Sequence, residues 1–305
     1  METSEARAHH FVPQCWLSGF TESGQNDGHL WVTDLKRGKQ WKSNPLNSGH
    51  RRDFYRLSDP AIEPTAVEKK FAEMETGIAP ILRNIEKQPR IPDPDELKAL
   101  LVFMAIQWVR VPAFRSTVLP IADSIQRSYF AEALCSPESW AAALKRAGYT
   151  PDAPGADYDK MLEFERSGEY SFKPDTNWYL KNGLRVVGGI IASLEGRHWG
   201  SLISDRGEFI GSDNPVALDG NKDHKVGFKN APIVTYPVGR HVLLYGTLFP
   251  VSHPPISTKL IAHHNTFAML TAEEQIYSYR PDFHWLDAKG KCQNDWQVFS
   301  KQEFL

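Results

Sequence analysis

The chain has 305 residues, 41% of them hydrophobic and 24% charged, with 35 Lys and Arg against 37 Asp and Glu for a formal charge of −2. This is length and apolar content enough for a substantial buried core. The near-balance of charge supplies no overall field for a polyanion, so nucleic acid would need a local patch; the best one, Lys36, Arg37, Lys39, Lys42, Arg51 and Arg52, reads as a solvated hairpin face.

The chain opens on His9-His10-Phe11-Val12-Pro13-Gln14, two histidines before a proline that fixes its own φ and biases Val12 toward extended backbone. Residues 30–34 and 39–43 alternate aromatic and polar side chains around a turn at Gly38, the pattern of a half-buried hairpin. A loop over 44–49 then delivers His50 and Asp53-Phe54-Tyr55. Thr65 to Glu68 has the form of a capping box, and Val67, Phe71, Met74, Ile78, Ile81 and Ile85 follow as one helical face. Asp93-Pro94-Asp95-Glu96 repeats the start logic for a helix over 97–109 that is apolar on nearly every side, and Pro112 should kink or end it.

Further helices are expected over 116–134, 137–147 (Ser136 as cap) and 158–166, with Pro151–Gly155 a linker or surface loop. Residues 177–194 have helical spacing weakened by Gly183, Gly188 and Gly189. Strands are expected over 199–204, 208–212, 234–236 and 242–249, and a helix over 259–270. The fold class that results is α+β in a single domain over 1–305: an N-terminal β-hairpin element (9–57), a helical centre (64–170), and a mixed part (175–290) with a small, mainly antiparallel C-terminal sheet.

Three cysteines, Cys15, Cys135 and Cys292, form no Cys-x-x-Cys pair, which excludes a Cys-rich zinc site and argues against a disulfide framework. Cys15, between apolar neighbours, reads as a buried thiol rather than a nucleophile. The first eight residues are no signal peptide, and the apolar stretches at 100–111 and 186–194 are too short or interrupted to span a bilayer. The expectation is a cytoplasmic chain with no membrane partner; its oligomeric state is left open.

Candidate chemistry comes from polar residues that contradict their surroundings. Glu68 and Glu75 share one helical face, Glu68 reading as a cap. Gln107 and Arg110 lie three apart in the apolar helix, and a buried arginine needs an acidic partner, for which Glu75 or Asp213 would serve. Ser212-Asp213-Asn214-Pro215 ends a strand, where Asp and Asn either bond their own backbone or line a site. His263 and His264, about 100° apart on a helix, cannot both face one ion. Of His9 and His10, His10 is the better candidate, with His50 and Asp53 as weaker companions. There is no Gly-rich phosphate loop and no Gly-x-Ser-x-Gly elbow.

The opening His-His-Phe-Val-Pro-Gln string, with Asp53-Phe54-Tyr55, Gln107 to Pro112, Ser212 to Pro215 and Asn265, resembles the domain of unknown function 4238 family over roughly His9 to Tyr279. The resemblance implies no activity, but it singles out the same polar residues and suggests that they converge in the fold. On that reading His10, Glu75, Arg110 and Asp213 are the catalytic set, and Gln14, Gln107, Ser212, Asn214 and Asn265 bind ligand. Glu75 and Asp213 would hold a divalent metal, Mg or Mn. The function stays uncharacterised, with a metal-assisted or acid/base hydrolase of a phosphodiester or nucleotide as one expectation. The alternatives are a binding module for a small anionic ligand, nucleotide or nucleic acid, and a purely structural buried polar network.

Overall fold

The computed structural model describes residues 8–57, 63, 65–150, 153–219, 227–250 and 255–304. The chain divides into two compact units, Met1–Phe114 with Thr176–Leu305, and Arg115–Asp175. Pro151 and Asp152, the start of the expected linker or surface loop, lie outside the described residues.

The first unit begins with β1 (Ala8–His10) and a short helix α1 (Gln14–Leu17) that runs into a 3-10 turn at Ser18–Phe20. β2 (Leu30–Asp34) and β3 (Lys39–Ser43) form the expected hairpin, with Leu30 opposite Ser43 and Asp34 opposite Lys39. Gly38 turns it at a φ of 62°, a conformation that costs other residues a Cβ clash. β4 (His50–Arg52) then pairs with β1.

Next come α2 (Ala66–Lys87) and α3 (Pro94–Arg110). The start of α2 departs from expectation: Thr65 makes no side-chain cap, its hydroxyl donating to Glu63 at 3.1 Å instead. α3 starts on a complete capping box, with Asp93 accepting from Asp95 and Glu96 and Glu96 reaching back to the Asp93 N–H. α3 ends where Pro112 holds Val111 extended, and α4 (Pro112–Ala133) follows. No single described helix is long and apolar enough to cross a membrane, although α3 and α4 as a bent pair pass that test by length and composition.

α4 leads into the second unit, which holds α5 (Pro137–Arg146) and α6 (Tyr158–Ser167). Ser136 caps α5 as expected, and Phe130 gathers Trp140, Phe164, Tyr170 and Phe172 around its ring.

The first unit resumes with α7 (Thr176–Glu195), packed on α3. The structure explains one of its glycines: a Cβ on Gly183 would stand 3.2–3.3 Å from Phe114 and Val109, so the helices approach closely there. β5 (His198–Ile203), β6 (Gly211–Ser212), β7 (Ala217–Leu218), β8 (Ile233–Pro237) and β9 (Val242–Thr247) follow. Then come α8 (Thr258–Thr271), β10 (Gln275–Ser278), β11 (Trp285–Leu286) and β12 (Cys292–Gln293). One antiparallel sheet runs β5-β9-β8-β7, and the other runs β3-β2-β10-β6. The N-terminal hairpin is therefore not free-standing, because β10 pairs β2 on one side and β6 on the other. The fold is α+β. Its core includes one cluster of Ile210, Met269, Ile276 and Trp285, and another of Leu202, Phe209, Leu243 and Ile261 between α8 and the β5-β9-β8-β7 sheet.

Candidate functional site

The opening string folds into a buried polar network rather than an open pocket. The His9 ring accepts from the Tyr55 backbone N–H at 2.9 Å and stacks on the Tyr55 ring. Asp53 makes this possible: it sits at a φ of 56°, where Asp is one of the few tolerated non-glycine residues. The Tyr55 hydroxyl in turn donates to the Arg110 carbonyl. His10 gives its Nε2 proton to the Leu46 carbonyl at 3.1 Å, leaving Nδ1 toward the Gln14 amide at 3.5 Å. Burial, with His50 and Arg110 nearby, pushes the His10 pKa down to about 4, so it is neutral at physiological pH.

Arg110 is the centre of this network, with a side chain wholly shielded from solvent. Its guanidinium donates to Glu75 at 2.7 Å and to the His10 carbonyl, and lies 4.2 Å over the Phe71 ring. Glu68, expected as a helix cap, lies half-buried near Arg110 and Glu75, and burial holds its pKa up. Burial likewise pushes the Cys15 thiol up to about 12, so Cys15 is no thiolate nucleophile. Gln107 lies fully buried beside the Tyr236 hydroxyl, and neither makes a hydrogen bond of good geometry.

Three of the four residues expected to form a catalytic set thus meet: His10, Glu75 and Arg110. Asp213 is engaged elsewhere. Its carboxylate accepts the backbone N–H groups of Glu273, Glu274 and Gln275 at 2.7, 2.7 and 2.9 Å, fixing the turn that leads into β10. Burial raises its pKa to about 6 against the pull of those three donors. The Ser212 hydroxyl donates to the Asn214 carbonyl and accepts from its backbone N–H, and the Asn214 amide reaches the Thr271 carbonyl at 3.1 Å. Asn265 donates to the Glu208 and His284 carbonyls and accepts from the Ile210 N–H. These residues tie backbone segments together. Among the described residues no group of three or more His, Cys, Asp or Glu side chains is arranged to hold a metal ion.

A cleft of about 990 Å³ opens in the same unit, at a place the sequence did not flag. The C-terminal end of α2 forms one wall with Arg83, Asn84, Glu86 and Lys87; Ile203, Asp205, Arg240, His241 and residues 23–25 complete it. Glu86 is its buried floor, with Oε1 at 3.2 Å from Arg240 Nε and 3.6 Å from His241 Nε2. Burial pushes the Glu86 pKa up to about 7, with Arg240 opposing. His241 donates its Nδ1 proton to the Ser204 carbonyl at 2.8 Å, which leaves Nε2 to accept from Arg240 Nε at 3.1 Å. Arg240 is itself tethered to the Thr21 carbonyl and lies 4.2 Å over the Tyr279 ring.

The opening string and the cleft are joined by the turn between β8 and β9. The Trp16 indole donates to the Pro237 carbonyl at 2.7 Å, and the Arg240 N–H donates to the Gly19 carbonyl at 3.0 Å. Gly239 permits this approach: a Cβ there would lie 2.5 Å from Glu86 Oε2 and 3.2 Å from the Gly19 carbonyl. In sequence Glu86 looks like a solvated residue at a helix end, and Arg83 and Lys87 like ordinary complements to the helix dipole. Only the tertiary approach of the β8–β9 turn turns them into a cleft. No curated protein and no solved structure matches the chain. The family model described as Protein of unknown function (DUF4238) matches residues 8–282 of the 305, and the chain belongs to that family.

Proposed function

We propose that this protein binds a small anionic ligand, of phosphate or nucleotide size, in the cleft between the end of α2 and the β8–β9 turn. The observation that carries this reading is the pairing of two exposed cations, Arg83 and Lys87, with a concave volume of about 990 Å³. That volume is at the upper end of the range for small-molecule sites. Glu86 and Asp205 are the acids in the lining, and Glu86 already faces Arg240.

The hydrolase reading built on His10, Glu75, Arg110 and Asp213 has less support, because the polar groups of that set are largely satisfied by one another or by backbone. Glu75 is committed to Arg110 and Asp213 to three N–H groups, which leaves little for a shared Mg or Mn ion. The Arg110 network reads as the scaffold that holds α2, α3 and the opening string together.

Calorimetric titration with inorganic phosphate and with AMP, each with and without Mg²⁺, tests the proposal. Saturable binding that the double reversal Arg83→Glu, Lys87→Glu weakens at least about tenfold supports it. Binding that survives the reversal places the ligand elsewhere, and metal-dependent turnover of the nucleotide revives the hydrolase.

A further inference from the structure

The same cleft carries a more specific inference, which rests on the anion-binding reading. Arg83, Glu86 and Lys87 are three and four residues apart or adjacent at the end of α2, and all three line the cleft. An anion held between the two cations therefore sits close to the Glu86 carboxyl group. That group is only 8% exposed, and neither of its oxygens has a hydrogen bond of good geometry.

The other charged and titratable groups around Glu86 cannot relieve the repulsion that follows. On its own helix these are Arg83 and Lys87, engaged by the anion. On the β8–β9 turn, Arg240 already lies 3.2 Å from Glu86 and is held there by the Thr21 and Glu22 carbonyls and the Tyr279 ring, so it adds no further charge toward a ligand. His241 has its proton on the nitrogen that faces Ser204 and presents a lone pair to Arg240, so it has no proton to offer Glu86. Across the cleft Asp205 is a further acid. The carboxyl group packs on Gly239, where an added Cβ would lie 2.5 Å from Glu86 Oε2.

We propose that the cleft takes up its anion together with a proton, and that Glu86 is the group that carries that proton. The two events are then linked: whatever charge the ligand brings makes the neutral form of Glu86 the bound form, and protonating Glu86 first tightens the site. Without ligand its pKa stands at about 7, which puts the exchange near neutral pH.

Sulfate is the suitable probe, because it is a tetrahedral dianion with no proton to exchange in this range. Sulfate is added to lightly buffered protein at pH 7.5, and the protons consumed are measured by back-titration beside a calorimetric affinity. The expected result is uptake of roughly 0.7 proton per sulfate bound, with affinity falling about tenfold per pH unit above neutrality. Glu86→Gln, which mimics the protonated group, should bind sulfate with no uptake and no such pH dependence. Binding without proton exchange in the parent protein overturns the inference and leaves anion binding standing. Equal uptake by parent and Glu86→Gln assigns the proton to another group and also overturns it. Failure of the parent protein to bind sulfate at any pH from 6 to 8 overturns both.

Discussion

Replacing Arg110 by Met tests whether the network around the opening string is scaffold. Methionine approximates the volume and can still pack on Phe71, so the substitution mainly removes charge and hydrogen bonds. Two losses follow: the 2.7 Å bond to Glu75 and the bond to the His10 carbonyl. Removing one partner of a buried pair costs about 3–5 kcal/mol. Glu75 retains 20% of its side-chain exposure, so water recovers part of that and the lower end applies. The stranded His10 carbonyl adds about 1 kcal/mol, and the better apolar contact with Phe71 offsets a similar amount. The expected net loss is about 3 kcal/mol, read from urea unfolding at pH 7 followed by tryptophan fluorescence and far-UV circular dichroism. Adding Glu75→Gln should restore about 1–2 kcal/mol by removing the stranded charge, the non-additivity expected of residues in contact. A loss below about 1 kcal/mol, or strict additivity of the two substitutions, would refute the scaffold assignment.

Glu86→Gln should stabilise the protein in a pH-dependent way. Glu86 takes its proton at about pH 7 in the folded chain and at 4.5 in its unperturbed state, so between these values the folded state binds more protons. Parent stability therefore falls as pH rises from 4.5 to 7 and then levels off, a difference of about 3 kcal/mol. The variant should match the parent near pH 4 and exceed it at pH 8; equal stability at both would show the carboxylate to be well solvated. Gly239→Ala places a Cβ 2.5 Å from Glu86 Oε2, so it should cost about 1–3 kcal/mol, and less in the Glu86→Ala background. Asp213→Asn keeps the shape but puts an amide donor against backbone donors, so it should destabilise by about 2–4 kcal/mol. Thermal unfolding of each variant checks these, and a neutral Asp213→Asn would contradict a carboxylate held by three N–H groups.

The elements with strong local signals were legible in the sequence. The hairpin around Gly38, the Asp93 capping box, the α3–α4 break at Pro112 and the Ser136 cap each follow from chemistry within a few residues. The pairing of β10 between β2 and β6 was not, because nothing near Gln275 indicates a partner more than two hundred positions away. The Thr65 box failed locally, because the Thr65 hydroxyl turns to Glu63 at 3.1 Å instead of capping the helix. The polar residues that contradicted their surroundings did mark real structure. Arg110 found Glu75 as a buried arginine must, but Asp213 went to a backbone turn, a choice that a short Asp string leaves open. The cleft was invisible because Glu86, Arg83 and Lys87 look ordinary on a helix end, and Arg240 and His241 look ordinary in a turn.

The bonds from Trp16 to Pro237 and from Arg240 to Gly19 also bear on the timing of assembly. During synthesis the segment around Trp16, Leu17 and Phe20 leaves the ribosome long before residues 233–242 exist to receive it. These three side chains are fully buried in the finished fold, so until then they have no native cover. Contacts of such long sequence separation slow folding and lengthen the exposure of apolar surface. The opening string is thus a segment that must wait, and chains stalled before residue 237 should be the ones that chaperones hold and proteases clear.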